Sequence, residues 1–202
     1  MKYVSLATED EVSEAVGRRL ISDFLPDFTI NVLFRKGGFG HLKSRINTFC
    51  KMATREPLIL ITDLDNTACA PSLKSSWLEG INPPDNLLFR VAVHEIEAWL
   101  LADTIAIKAL FGKTVQAPRA PDTVPEPKEL LLKLAKKAPR RIKEDLLIER
   151  GAIASQGIGY NRRLCEYVWN SWNPILASQQ SDSLHRTINA LKKLSLRFHA
   201  DV

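Results

Sequence analysis

Apolar and polar positions alternate between two periods along the first hundred residues. Residues 3–7 form a short apolar stretch, after which Val12, Ala15, Val16, Leu20 and Phe24 recur at helical spacing until Pro26. Residues 28–34 alternate as a strand, Leu42, Ile46, Phe49, Cys50 and Ala53 return to the helical period, and Leu58-Ile59-Leu60-Ile61 is an unbroken apolar run behind Pro57. Such a β-branched run reads as a strand buried on both faces of a parallel sheet. Residues 70–80 open with Pro71 and close with Gly80, as a short helix does. Residues 87–93 predict a fourth strand feeding a helix over 94–101, in which Ile96, Trp99 and Leu100 share a core face. Strict strand and helix alternation predicts a parallel sheet with helices on both faces.

Beyond Ala102 the pattern changes. Residues 104–111 predict a helix stopped by Gly112, and residues 117–127 hold four prolines and read as an exposed loop. Leu130, Leu131, Leu134 and Ala138 mark an amphipathic helix, and residues 183–198 another, with Leu184, Ile188 and Leu191 inward. No convincing strand follows Ala102. The expected organisation is therefore an α/β core over residues 1–112 and an all-helical extension over 113–202, packed on or beside it.

Composition narrows the class. A chain of 202 residues, 45% hydrophobic and 25% charged, is long enough for a real core. The balance of 28 basic to 23 acidic residues gives a net charge of +5, which permits a polyanionic partner without requiring one. Cys50, Cys69 and Cys165 lack metal-ligand spacing and read as reduced thiols. With neither a signal peptide nor a membrane-spanning segment, the chain is expected to be cytoplasmic and off the membrane.

Candidate chemistry collects at the strand ends, where ligands bind in open α/β sheets. Asp63 and Asp65 follow the buried run at i, i+2, project to one side, and can share a divalent cation, Mg²⁺ or Mn²⁺. Glu9 is placed to face them from the end of the first strand. Glu95, at the end of the fourth, is either a further ligand or a first-turn acid favoured by the helix dipole. Arg35-Lys36-Gly37-Gly38-Phe39-Gly40-His41 is either an anion-binding turn or a plain flexible one. The densest basic cluster includes Lys136, Lys137, Arg140 and Arg141; it is either a solvated face or, with Arg35 and Lys36, a contact surface for a nucleic-acid backbone.

Two families resemble these residues. Asp63-Leu64-Asp65-Asn66-Thr67 looks like the first motif of haloacid-dehalogenase-type phosphatases, which implies Asp63 as a nucleophile, but the likeness stops at that motif. A strand ending in Glu9 followed by the strand end Asp63 and Asp65 resembles the Toprim domain of primases, topoisomerases and overcoming-lysogenization-defect nucleases. The likeness to domain-of-unknown-function family 4276, a Toprim-like bacterial family, runs nearly end to end. It is carried by Glu9 with Ser13-Glu14, by residues 90–103 with their Glu95-Ile96-Glu97-Ala98-Trp99 centre, by Pro127-Lys128 and by Ser183-Leu184.

What this resemblance implies is a Mg²⁺-dependent nuclease, with Glu9, Asp63, Asp65 and Glu95 as catalytic and metal-binding residues. It also implies a place in an anti-phage defence pair with an ATPase of the AAA or ABC type, on DNA rather than RNA, with homo-oligomerisation open. The rival expectation from a different class is a non-catalytic subunit that keeps the fold and binds the ATPase or nucleic acid.

Overall fold

A computed structural model of the chain describes residues 2–35, 38–150 and 153–200. Four parallel strands form the main sheet: β1 (Lys2–Ala7), β2 (Phe28–Phe34), β3 (Leu58–Asp63) and β4 (Leu87–Ala92), in the order β2-β1-β3-β4. Their connections are helical: α1 (Glu11–Phe24) after β1, α2 (Gly38–Ser44) and α3 (Ile46–Ala53) after β2, and α4 (Ala70–Trp77) after β3. The alternation expected from sequence is the architecture observed.

The apolar run of β3 divides itself between two cores because successive side chains point to opposite faces. Ile59 and Ile61 enter a core with Val4, Leu6, Val16 and Leu20, while Leu58 and Leu60 enter one with Leu42, Phe49, Leu73 and Trp77. All four are at most 1% exposed, so each stabilises the fold by about 1.5–3 kcal/mol relative to exposure. Asp10 starts α1 by accepting the Ser13 amide at 2.8 Å. A Cβ at Gly17 would lie 2.8 Å from Leu6 Cδ1, so glycine lets α1 lie close against the sheet.

Behind β4 the chain enters α5 (Ile96–Leu101), whose every residue is buried. The remaining elements are α6 (Thr104–Phe111), a 3-10 turn (Pro121–Thr123), α7 (Pro127–Ala135), α8 (Arg140–Leu146), strands β5 (Leu147–Arg150) and β6 (Ile153–Gln156), α9 (Tyr160–Asn170), α10 (Pro174–Ser178) and α11 (Asp182–Ala200). They are organised around α5. The Trp99 indole donates to Ser183 Oγ at 2.6 Å, Trp172 Nε1 to the Trp99 carbonyl at 3.0 Å, and the Tyr167 hydroxyl to the Leu100 carbonyl at 3.1 Å. Asp103 caps α6 through Ala106 N at 3.0 Å and accepts the Asn173 amide at 2.8 Å.

One hydrophobic cluster runs from Val4 through Trp99 to Leu194, so the helical C-terminal segment shares the core of the α/β part. The segment is not wholly helical: β5 and β6 form an antiparallel hairpin apart from the main sheet. Four residues a strand, half of them polar, give too little alternation for the pattern to register. Among the described residues no helix is long and apolar enough to cross a membrane. All three cysteines are free.

Candidate functional site

The carboxyl rim of the sheet gathers acids from three strand ends and a lysine from α7. The Thr62 hydroxyl and the Asp63 amide, the latter at 2.9 Å, both donate to Glu9 Oε1, so β3 fixes Glu9 against the end of its own strand. Glu9, expected to face Asp63 and Asp65, is thus held by the backbone amide of Asp63. Burial pushes the Glu9 carboxyl up; the Thr62 and Asp63 donors pull it down, and Asp65 and Asp10 repel it further. Burial also holds Asp63 well above the usual carboxylate range, with repulsion from Glu9, Glu97, Asp10 and Asp65 adding to it.

Asp65 stands differently from the expectation. β3 ends at Asp63, and Asp65 adopts φ 47° and is exposed, so strand alternation does not set its direction. Its amide donates to the His94 carbonyl at 3.0 Å, as does that of Leu64 at 3.1 Å, and His94 itself has φ 62°. Two left-handed non-glycine residues thus meet across the ends of β3 and β4, and such strained positions cluster at functional sites.

Glu95 is committed to structure in part: its Oε2 accepts the Lys128 amide at 2.8 Å, which caps α7 rather than α5. The buried acid of this segment is Glu97, 1% exposed, which the helical spacing gave no reason to select. Its Oε1 accepts the Tyr160 hydroxyl at 2.8 Å and faces Lys128 Nζ at 3.5 Å, while its buried Oε2 has no hydrogen-bond partner among the described residues. Burial pushes the Glu97 carboxyl up, and Lys128 and Tyr160 pull it down. For Lys128 burial acts to lower the ammonium, but Glu97, Glu95, Asp10 and Asp63 outweigh it and the net direction is up.

Sequence carried some signals of this arrangement. Glu97 is the one acid inside an otherwise apolar run from Ile96 to Leu101, and a lysine in the first turn of α7 opposes the helix dipole unless acids face it. Tyr160, 63 residues from Glu97, carried none.

The donor chemistry of the rim fits a hard divalent cation. Mg²⁺ takes one or two carboxylates and completes its octahedron with water and substrate phosphate, which Glu9 and Asp63 can supply and receive. The upward shifts of Glu9 and Asp63 show that burial and neighbouring acids disfavour their charged forms, which a bound cation would favour. The expected shell of Glu9, Asp63, Asp65 and Glu95 is not assembled: among the described residues no three His, Cys, Asp or Glu side chains are grouped to hold an ion. Asp65 has left the strand direction, and Glu95 is turned to Lys128.

The basic residues separate into two kinds. Arg35 is spent on Glu11 and Glu14, each at 3.1 Å, and Lys36 and Gly37 lie outside the described residues. Gly38 and Gly40 belong to α2, so this part of the glycine segment is helix rather than an open turn. Lys136, Lys137, Arg140 and Arg141 are placed around the end of α7 and the start of α8, with Arg140 exposed and paired to Glu144 at 2.7 Å.

No characterised protein and no solved structure matches the chain. A family profile does: it covers residues 8–162, from the residue before Glu9 through β3, α5 and Lys128 to the start of α9, and so spans every residue of the rim. The chain belongs to the family described as domain of unknown function 4276.

Proposed function

We propose that this protein is a metal-dependent phosphodiesterase, a nuclease of Toprim type, acting from the carboxyl rim of its sheet. One observation carries the reading: Glu9 and Asp63, 54 residues apart, are locked together by the bond from the Asp63 amide to Glu9 Oε1, and both carboxyls are raised, first by burial and then by neighbouring acids. Groups so perturbed at a strand rim are the ordinary material of catalytic sites. Glu9 and Asp63 would hold Mg²⁺ or Mn²⁺, with Asp65 beside them. When bound, the ion would supply a water nucleophile at neutral pH and stabilise the leaving oxygen.

The chain's own residues have distinct tasks in this reading. Thr62 and the Asp63 amide orient Glu9, which would act either as a metal ligand or, through its raised affinity for protons, as the base that receives one from an attacking water. Lys128 offsets the acids from the far side, with Glu95 and Glu97 fixing its backbone and its ammonium. The cations from Lys136 to Arg141 begin eight residues along from Lys128, about 12 Å at 1.5 Å per helical residue, and would contact phosphates further along the same strand.

The Toprim resemblance adds DNA as the preferred substrate, an ATPase of the AAA or ABC type as partner, and anti-phage defence as setting. A second reading is favoured by one observation. Lys128 gives Glu97 an internal counter-ion, so part of the rim is compensated without a metal, as a non-catalytic subunit would need. The deciding experiment is incubation of plasmid, single-stranded DNA and RNA with Mg²⁺ or Mn²⁺. Wild type should cleave at least one, and the Asp63→Ala, Asp65→Ala double variant none. Equal behaviour of the two proteins on all three refutes the enzyme.

A further inference from the structure

A cavity of about 450 Å³, not lined by Glu9, Asp63, Asp65 or Glu95, lies between α4, the outer strand β4 and the start of α11. Three cations line it: Lys74 from α4, Arg90 from β4 and Arg186 from α11. Among the described residues two of them, Lys74 and Arg90, have no carboxylate partner. Among the described residues Lys74 has no ion pair; its ammonium lies 5.7 Å from the centroid of the Phe89 ring. Arg90 donates from Nε to Thr187 Oγ1 at 3.3 Å and has no carboxylate partner among the same residues. Arg186 is paired to Asp182 at 3.7 Å, and both of those side chains are largely exposed.

The other acid on the wall, Asp122, is occupied elsewhere. It accepts the Ser181 hydroxyl at 2.7 Å and the Ser183 amide at 2.8 Å, and so caps α11. The charged neighbour that acts on Lys74 is Arg90, and the one that acts on Arg90 is Arg186. Burial first, and then this repulsion, brings the Lys74 ammonium down to about 8. A folded chain keeps half-buried like charges together at a cost, and an anion between them would remove it. The rest of the wall is apolar, with Pro71, Val91 and Val93.

We propose that this cavity binds a phosphate group, held by Lys74, Arg90 and Arg186, with the apolar wall receiving what the phosphate is attached to. A guanidinium fork and an ammonium converging from separate elements suit a tetrahedral dianion. The volume lies in the range of small-molecule sites. Glu9 and Asp63 do not line the cavity, and the proposal does not depend on the nuclease reading.

The test uses the full chain, with ionic strength held constant by chloride, and calorimetric titration against inorganic phosphate and a 5′-mononucleotide. Wild type should bind phosphate saturably and rise in Tm with it. Lys74→Met should weaken binding about tenfold or more, as loss of one charge-assisted contact does, and Arg186→Gln should weaken it by a smaller factor. Lys51→Met, at an exposed position on α3, should bind as wild type.

Without phosphate, Lys74→Met should melt no lower than wild type, because a cation repelled by Arg90 has gone; this also establishes that the variant is folded. Tighter binding of the nucleotide assigns the apolar wall to a base or sugar, and equal binding assigns the site to inorganic phosphate; either supports a phosphate site. Absence of saturable binding in wild type, or equal binding by wild type, Lys74→Met and Arg186→Gln, overturns it.

Discussion

Removing one hydroxyl by Tyr160→Phe tests whether Glu97 is a buried charged member of the rim. Both side chains are 1% exposed, and the hydroxyl donates to Glu97 Oε1 at 2.8 Å. Because Oε2 has no partner among the described residues and Lys128 stands at 3.5 Å, the hydroxyl makes the shortest contact to the carboxylate. A hydrogen bond to a charged group contributes about 1.5–3 kcal/mol, so the variant should lose about 2 kcal/mol. For a chain of this length that is a fall in Tm of about 4–8 °C.

The pH dependence distinguishes charge from packing. The folded Glu97 carboxyl is raised, so its contribution to stability is fully present below the unfolded value and is lost as pH rises through the folded one. The Tyr160 hydroxyl opposes that rise, so its removal should cost more at pH 8 than at pH 4, where about 1 kcal/mol of neutral hydrogen bond remains. Guanidinium unfolding of wild type, Tyr160→Phe, Glu97→Gln and the double variant at both pH values closes a cycle. In the Glu97→Gln background, loss of the hydroxyl should cost about 1 kcal/mol at either pH. A loss from Tyr160→Phe that is the same at pH 4 and pH 8 would falsify the view of Glu97 as an ionised partner.

Other perturbations have equally definite outcomes. Asp63→Asn should raise Tm at pH 8 and leave it unchanged near pH 3.5: the folded carboxyl is held above its unfolded value, so the stability it forfeits as pH rises is recovered by the neutral side chain, and a lower Tm at pH 8 would contradict this. Mg²⁺ at millimolar concentration should raise the Tm of wild type and not of Asp63→Asn, as read by differential scanning calorimetry. Gly157→Ala should destabilise by about 3 kcal/mol in urea unfolding, since its Cβ would lie 2.4 Å from the Asp145 carbonyl oxygen, a backbone atom that cannot step aside. Asp103→Ala, which strips a cap from α6 and orphans the Asn173 amide, should cost about 2–4 kcal/mol by the same assay.

The sheet was legible because its signals are local. Leu58 to Ile61 announce a buried strand without reference to any other part of the chain, and the apolar spacing of α1 and the proline at the start of α4 do the same for their helices. The hairpin of β5 and β6 was not legible, because eight half-polar residues do not impose a period. At the rim, the positions of Glu9 and Asp63 at strand ends were legible, because topology and not the side chain determines them. The directions of Asp65 and Glu95 were not legible, because a left-handed turn and a contact with α7 redirect them. Glu97, Lys128 and Tyr160 form a unit only when α5, α7 and α9 pack together.

The sequence by itself determined the strands, the helices between them and the rim on which acids would stand, since hydrophobic period and strand direction are properties of short stretches. Only the tertiary structure decided which acids are desolvated, which are tied to a lysine or a tyrosine, and which cations are left facing one another across a cavity. Those outcomes depend on distance and dielectric between groups far apart in the chain, and neither quantity exists until the helices have packed.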